Sequence, residues 1–326
     1  MKVLFIGGTG IISSASSRLA VERGIELYHL NRGATSHRPM PASIIQLHGD
    51  IHNHASYEAA LGEHQFDAVV QWIAFVPEQI EQDIELFRGR TKQYVFISSA
   101  SAYQTPPAKL PITEETPLEN PVWEYSRNKI ACEEKLVDAY TREKFPMTIV
   151  RPSHTYDRTL FPTYGGYTIL QRMKDGEPVV VQGDGTSLWT LTHHEDFAVG
   201  LVGLLGNPAA IGEVFHITSA EWLTWNQIYE EIARAAGVRP KLVHVPSDVI
   251  ARYDNMWGDA LLGDSAHSLI FDNSKIKSLV PDFDPKIPFS EGARQIVDWH
   301  EADPERQVVN AEFNAILDRI IADCQR

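Results

Sequence analysis

The chain has 326 residues, 43% hydrophobic and 10% aromatic, enough to bury a large core and to form two domains. Its 29 basic residues against 43 acidic ones give a formal net charge of −14, a field that repels a phosphate backbone unless basic residues cluster, and none do. There is no run of ~18 apolar residues and no basic segment leading into a long apolar stretch with a cleavage site; Cys132 and Cys324 suggest neither a disulfide framework nor a zinc site. The expectation is a cytoplasmic protein with no metal, no membrane association and no nucleic-acid partner.

The opening run Val3-Leu4-Phe5-Ile6 is short, apolar and β-favouring, and it enters Gly7-Gly8-Thr9-Gly10 directly. Ile11, Ile12, Ala15, Leu19 and Ala20 then follow at helical spacing. Strand, tight turn and helix in this order form a phosphate cradle. Glycines allow positive φ and close approach to a pyrophosphate, and the free N–H groups at the helix start stabilise its charge. Ser13 stands where the usual pattern has a third glycine, and it is small enough to keep helix and strand close. Further strands are expected near 25–30, 44–48, 67–72, 93–98 and 147–151, with helices in the intervals. That pattern predicts an α/β protein with a Rossmann-type, doubly wound parallel sheet.

After Tyr156 the pattern turns irregular at Pro162, Gly165, Gly166 and Pro178. Residues 1–155, with a return near 190–217, are therefore expected to form the dinucleotide-binding domain. Residues 156–189 and 218–326 are expected to form a smaller α/β substrate-binding domain. Val308, Phe313, Ile316, Leu317, Ile320 and Ile321 predict a closing amphipathic helix packed on the body.

Further motifs follow in order: Gly49-Asp50-Ile51, Phe96-Ile97-Ser98-Ser99-Ala100-Ser101-Ala102-Tyr103, Tyr125-Ser126-Arg127-Asn128-Lys129, Arg151-Pro152, Gly183-Asp184-Gly185-Thr186 and His193-His194-Glu195-Asp196. With them the chain resembles, over nearly its whole length, the extended short-chain dehydrogenase/reductase family, which includes the NAD-dependent nucleotide-sugar epimerases and dehydratases. The resemblance implies an NAD(P) cofactor held by Gly7, Thr9, Gly10, Ile11, Ile12, Asn31, Arg32, Asp50, Ile51, Ala74, Tyr125, Lys129 and Ser153. It implies catalysis by Ser99, Tyr125 and Lys129, substrate contacts at Ser101, His154 and Trp189, and a homodimer through the helices after strands four and five. Asp50 matches the family residue whose carboxylate bonds the adenine amino group. One branch that the chain resembles, the chloroplast stem-loop-binding proteins, is associated with RNA. A non-catalytic RNA-binding or regulatory role with a vestigial dinucleotide site is thus an alternative from another class, and the acidic balance opposes it.

The second strand ends in Leu30-Asn31-Arg32-Gly33. No carboxylate stands there to hold a ribose hydroxyl and exclude a 2′-phosphate, whereas Arg32 suits that phosphate. NADP(H) is favoured over NAD(H), which stays open if Arg32 is only a solvated loop residue. The chemistry needs a base that takes a proton from a hydroxyl while hydride leaves the same carbon. Free tyrosine, with a pKa near ~10, is too weak an acid. The Lys129 ammonium and the oxidised cofactor's positive ring beside Tyr125 are expected to bring it down, and Ser99, 26 residues before Tyr125, orients the substrate oxygen. Tyr140 and Lys144 repeat the spacing, but they lie roughly 22 Å further down the helix at ~1.5 Å per residue, where packing or a dimer surface is expected.

Departures from the family narrow the reaction. The dehydratases carry Asp-Glu where this chain has Ala100 and Ser101, and the 3,5-epimerase/reductases carry cysteine at Ser101, so both reactions are disfavoured. There remain oxidation and re-reduction at one carbinol carbon, as in a 4-epimerase, or net exchange with free cofactor, as in a dehydrogenase or reductase. The nucleotide-sugar enzymes clamp the diphosphate with an arginine where this chain has Trp189, and tryptophan stacks on rings but cannot pair with phosphate. Either Arg158, Arg172 or Lys174 replaces the clamp, with Arg252 in uncertain register, or the substrate carries no nucleotide diphosphate. His154 contacts substrate, shuttles a proton or bonds a loop. His48, His52, His54, His193 and His194 lack metal-ligand geometry and read as structural.

Overall fold

The protein is described here as a computed structural model covering residues 1–33 and 38–324. In chain order it begins β1 (Lys2–Ile6), α1 (Ile11–Glu22), β2 (Glu26–Asn31), β3 (Ile45–His48), α2 (His54–Leu61), β4 (Ala68–Gln71), α3 (Pro77–Phe87), β5 (Tyr94–Ile97), α4 (Glu124–Glu143) and β6 (Met147–Pro152). There follow β7 (His154–Tyr156), α5 (Tyr167–Lys174), β8 (Pro178–Gln182), β9 (Leu188–Trp189), β10 (Leu191–His193), α6 (His194–Leu204), β11 (Val214–Ile217), β12 (Leu223–Thr224), α7 (Trp225–Ala235) and β13 (Lys241–Val245). The chain then runs through α8 (Ser247–Ile250), α9 (Asn255–Ala260), α10 (Ser274–Leu279), α11 (Phe289–Glu301) and α12 (Ala311–Cys324).

Seven strands form one parallel sheet in the order β3-β2-β1-β4-β5-β6-β11. The strands are apolar almost throughout because helices cover both faces. Val3 and Phe5 look to one side, with Val70, Val95 and Val150, against Ala20 of α1 and Phe197 and Leu201 of α6. Leu4 and Ile6 look to the other, with Val69, Phe96 and Ile149, against Tyr57, Ile80, Ile84 and Leu136 of α2, α3 and α4. All six expected strands are present within two residues of their expected ends, and the seventh, β11, forms inside the expected return. Strand order reverses at β1, so a crevice opens at the carboxyl ends of β1 and β4, the place where such sheets bind ligands.

A second core gathers β8 and β13, a parallel pair, with α5, α7, α11 and α12. Two short pairs, β7 with β10 and β9 with β12, add Tyr156, Trp189 and Leu191 to this second core. Ile276, Val280 and Phe283, late in the chain, pack back on the sheet. Helix α12 buries Phe313, Ile316, Leu317, Ile320 and Ile321 as its periodicity requires. Val308, expected on that buried face, precedes the helix and is 67% exposed, because the helix begins only at Ala311. No helix among the described residues is long and apolar enough to cross a membrane.

The Arg151-Pro152 motif closes β6 with a buried ion pair. Arg151 donates to Glu133 of α4 at 3.0 and 2.5 Å, Ser98 donates to the same carboxylate at 2.5 Å, and both charged side chains are about 4% exposed or less. The guanidinium also lies 4.6 Å from the Tyr103 ring. This cluster ties α4 to the ends of β5 and β6. Removing one buried partner strands the other charge, so Glu133→Leu should lose about 3–5 kcal/mol of stability. Urea denaturation checks this, and a loss below ~1 kcal/mol, the scale of an exposed pair, would contradict it.

Candidate active site

The turn after β1 has the geometry its glycines suggested. Gly7 and Gly8 have φ of +105° and +99°. A Cβ on Gly8 would lie 2.6 Å from the His29 ring, closer than any side chain tolerates. Ser13 does more than replace a glycine: its hydroxyl accepts the Gly10 amide at 2.8 Å, while Ser17 bonds the Gly8 carbonyl at 3.1 Å and His29 Nε2 at 2.9 Å. Serines on α1 therefore brace the turn from behind. Burial holds His29 at about 4, so this support stays neutral.

Beside the turn, a cleft of about 340 Å³ is lined by Gly7, Thr9, Asn31, Arg32, Asp50 and Ile51 among others. The Asp50 carboxylate accepts the His52 amide at 3.0 Å, which fixes its direction. Asn31 accepts the Gly33 amide at 2.8 Å and donates to Gln46 at 2.9 Å. The cleft, the left-handed turn and the start of α1 fit a dinucleotide's adenosine and diphosphate. Ile12 and Ser153 line the next cavity along. Ile11 lines neither; its carbonyl meets His194 Nδ1 at 3.1 Å.

That next cavity, about 480 Å³, brings Ser99, Ser101, Tyr125, Lys129, His154 and Trp189 together. Tyr125 stands in the first turn of α4 and Lys129 one turn later. Lys129 is 1% exposed; its ammonium donates to the carbonyls of Ala74 at 2.8 Å and Ile97 at 2.9 Å, and lies 5.8 Å from the Tyr125 ring centroid. Ser99 begins the short turn after β5, its hydroxyl 2.9 Å from that of Ser101, which accepts from Ser126 at 2.8 Å. Tyr140 and Lys144 lie at the far end of α4, where the Tyr140 ring packs over Gly212. Tyr140 packs there, while Lys144 is exposed.

Comparison with known proteins fits this geometry. Residues 3–218 match the pattern of the NAD dependent epimerase/dehydratase family. The chain belongs to that family. It is 26% identical over 269 residues to the chloroplast stem-loop binding protein of 41 kDa b of Arabidopsis thaliana, a match covering 74% of this chain and 65% of that one. It is 29% identical over 194 residues to the 2′-dehydrokanamycin reductase of Streptomyces kanamyceticus, covering 58% and 54%. The chain thus spans between about half and two thirds of the length of these relatives. Among solved structures, the UDP-glucuronic acid 4-epimerase of Bacillus cereus, in complex with UDP-glucuronic acid and NAD, superposes with a TM-score of 0.75 at 18% identity, over 93% of this chain and 99% of that one. At that identity the likeness shows the fold.

Two features of this family member's site bear on its chemistry. The protein alone does not lower the Tyr125 pKa; burial pushes the phenol up to about 12, although a hydrogen bond with Ser99 pulls the other way. Lys129 spends its ammonium on two carbonyls instead of the phenol, and burial lowers it to about 8. Secondly, no replacement phosphate clamp reaches the cavity. Arg158 lines a separate cleft, Arg172 pairs with Asp318, Lys174 with Glu301 and Arg252 with Asp248. Among the described lining residues Lys129 is the sole lysine or arginine.

The remaining histidines settle by their contacts. His193 caps α6 and reaches Gln295 at 3.0 Å, and no group of three His, Cys, Asp or Glu among the described residues is placed to hold a metal. His154 lies across from Trp189, ring centroids 6.3 Å apart, and burial keeps it neutral at about 4. The structure adds residues the sequence did not single out: Trp72, Phe75, Trp123, Phe271 and above all Asp264. Asp264 belongs to a π-helical turn, Leu261–Ser265, and no local motif announces it.

The Lys129 shift has a measurable sign. Its folded value of about 8 lies below the ordinary 10.5, so between those values the unfolded chain binds more protons and stability rises with pH. Relative to Lys129→Met, the cofactor-free wild type should gain up to about 3 kcal/mol from pH 8 to 10.5 at 1.36 kcal/mol per unit. Urea titrations across this range test it, and a pH-independent difference would refute the shift.

Proposed function

We propose that this enzyme transfers a hydride between NAD(P) and a carbinol carbon of a sugar-like substrate, with Tyr125 as acid/base. The observation that carries this reading is the convergence of Ser99, Tyr125 and Lys129 in one cavity adjoining the dinucleotide cleft. When bound, the nicotinamide supplies the hydride acceptor. Tyr125, as phenolate, takes the substrate hydroxyl proton while the carbon–hydrogen electron pair leaves, and a carbonyl forms. Ser99, fixed by Ser101 and Ser126, donates a hydrogen bond to that oxygen and orients it. Lys129 keeps Tyr125 in register by tying α4 to the ends of β4 and β5, and its positive charge favours phenolate.

Return of the hydride to the opposite face would make a 4-epimerase, like the Bacillus cereus neighbour; release of reduced cofactor would make a reductase or dehydrogenase, like the Streptomyces relative. Ala100 and Ser101 lack the acids or thiol for dehydration or 3,5-epimerisation. The RNA association of the stem-loop branch finds little support in a chain of net charge −14. For the cofactor, the Asn31–Arg32 end of β2 supports NADP over NAD, since no carboxylate stands there and Arg32 is exposed beside the cleft.

Tyr125→Phe should lower kcat by about 10²–10⁴-fold, the usual contribution of a positioned acid/base, with dinucleotide affinity nearly unchanged. Unaltered turnover would remove Tyr125 from the chemistry. Arg32→Ser should weaken NADP+ by about tenfold, near 1.4 kcal/mol for one charge-assisted contact, and leave NAD+ alone. Equal effects on both in fluorescence titrations would count against a 2′-phosphate contact.

A further inference from the structure

The side chain of Asp264 is the one acid among the described residues lining the reaction cavity, and it makes no hydrogen bond or ion pair with any described residue. It stands where two cavities meet: the 480 Å³ chamber and a deeper one of about 140 Å³, both also bounded by Trp123, His154 and Trp189. The deeper chamber has no lysine or arginine among its described lining residues, and in the larger one Lys129 is committed to two carbonyls. Trp189 is 3% exposed, and its indole N–H has no partner.

A carboxyl group in an aromatic chamber without a cation is costly unless the ligand completes it. A diphosphate brought here would meet a carboxyl group and no arginine, leaving its charge without a partner in a poorly solvated space. A protonated amine meets the opposite situation: a carboxylate to pair with and indole and phenyl faces that attract cations. We propose that the substrate carries an ammonium group held by Asp264 between the walls of Trp123 and Trp189, and that it carries no nucleotide diphosphate.

This inference rests on the hydride-transfer reading for which carbon reacts, but the ammonium site stands on its own residues. Burial raises Asp264 to about 8, so the amine ionises it on arrival and a proton is released. The titratable neighbours do not supply the counter-charge instead: His154 is held neutral, Tyr125 is a neutral phenol, and Lys129 lies on the catalytic wall. An aminated cyclic polyol fits both ends, its hydroxyls toward Ser99 and Tyr125 and its amine toward Asp264.

The test is calorimetric, on full-length enzyme saturated with NADP+, using 2-deoxystreptamine as the aminated probe, scyllo-inositol as its neutral counterpart and UDP-glucose. The aminated probe should bind at least tenfold more tightly than the polyol. Asp264→Asn should abolish that preference while changing polyol and NADP+ affinity less than about threefold, the latter showing that the variant is folded. Equal affinity for amine and polyol, equal losses for both in Asp264→Asn, or UDP-glucose binding that the variant leaves intact would each overturn the proposal. Repeating the titration with Tyr125→Phe separates the two readings. A preserved amine preference in an enzyme whose wild type moves no hydride would refute the reaction and keep the site, whereas turnover without the preference would do the reverse.

Discussion

The buried ammonium of Lys129 is the constraint on which the rest of the site depends. It bridges the carbonyl of Ala74, just past β4, and that of Ile97, at the end of β5, so it fixes three elements at once: two strand ends and α4. Charge-assisted hydrogen bonds to carbonyls offset part of the cost of burying the group; the rest shows as its lowered pKa. Tyr125 is placed because Lys129 is placed, one turn earlier on the same helix and above the opening between the strands. The Arg151–Glu133–Ser98 cluster, one turn further along α4, repeats the device at β6. The helix that carries Tyr125 is thus pinned to the sheet by two buried cations.

Much of this was legible from local sequence, because much of it is local. The strand–turn–helix at Gly7–Gly10 and the four-residue spacing of Tyr125 and Lys129 are short-range patterns set by backbone geometry. Alternating apolar strands with two covered faces leave little freedom but a parallel sheet. Even the second pair at that spacing, Tyr140 and Lys144, was separable from Tyr125 and Lys129 by helix rise alone, which puts it at the far end of α4. Trp189, where the nucleotide-sugar enzymes place an arginine, was likewise visible in the sequence.

What stayed hidden depends on burial and on contacts distant in sequence. Asp264 reaches the cavity because a π-helical turn in the second core projects it there, more than 130 residues from Tyr125 in sequence, and no motif marks such a turn. The upward shift of Tyr125 in the protein alone was hidden for a related reason. A lysine four residues away argues for a lower pKa, but desolvation is the larger effect and cannot be read from spacing. Val308 misled because hydrophobic periodicity continues through a stretch that the helix does not include.

Taken together, the ionisable groups around the cavity share one tendency: Tyr125 rises, Lys129 and His154 fall and Asp264 rises, each toward its neutral form and each chiefly through burial. A chamber of this kind gives little stabilisation to charge that arrives alone, but it strengthens any pair formed inside it. In the proposed reaction, an oxidised nicotinamide would supply positive charge near Ser99 and Tyr125, where phenolate is needed. A cation bound by Asp264 does so at another wall, where it does not compete for the base. The two pairings together would orient a substrate by its ends and choose which carbinol meets Tyr125, the positioning from which a large share of catalytic rate derives.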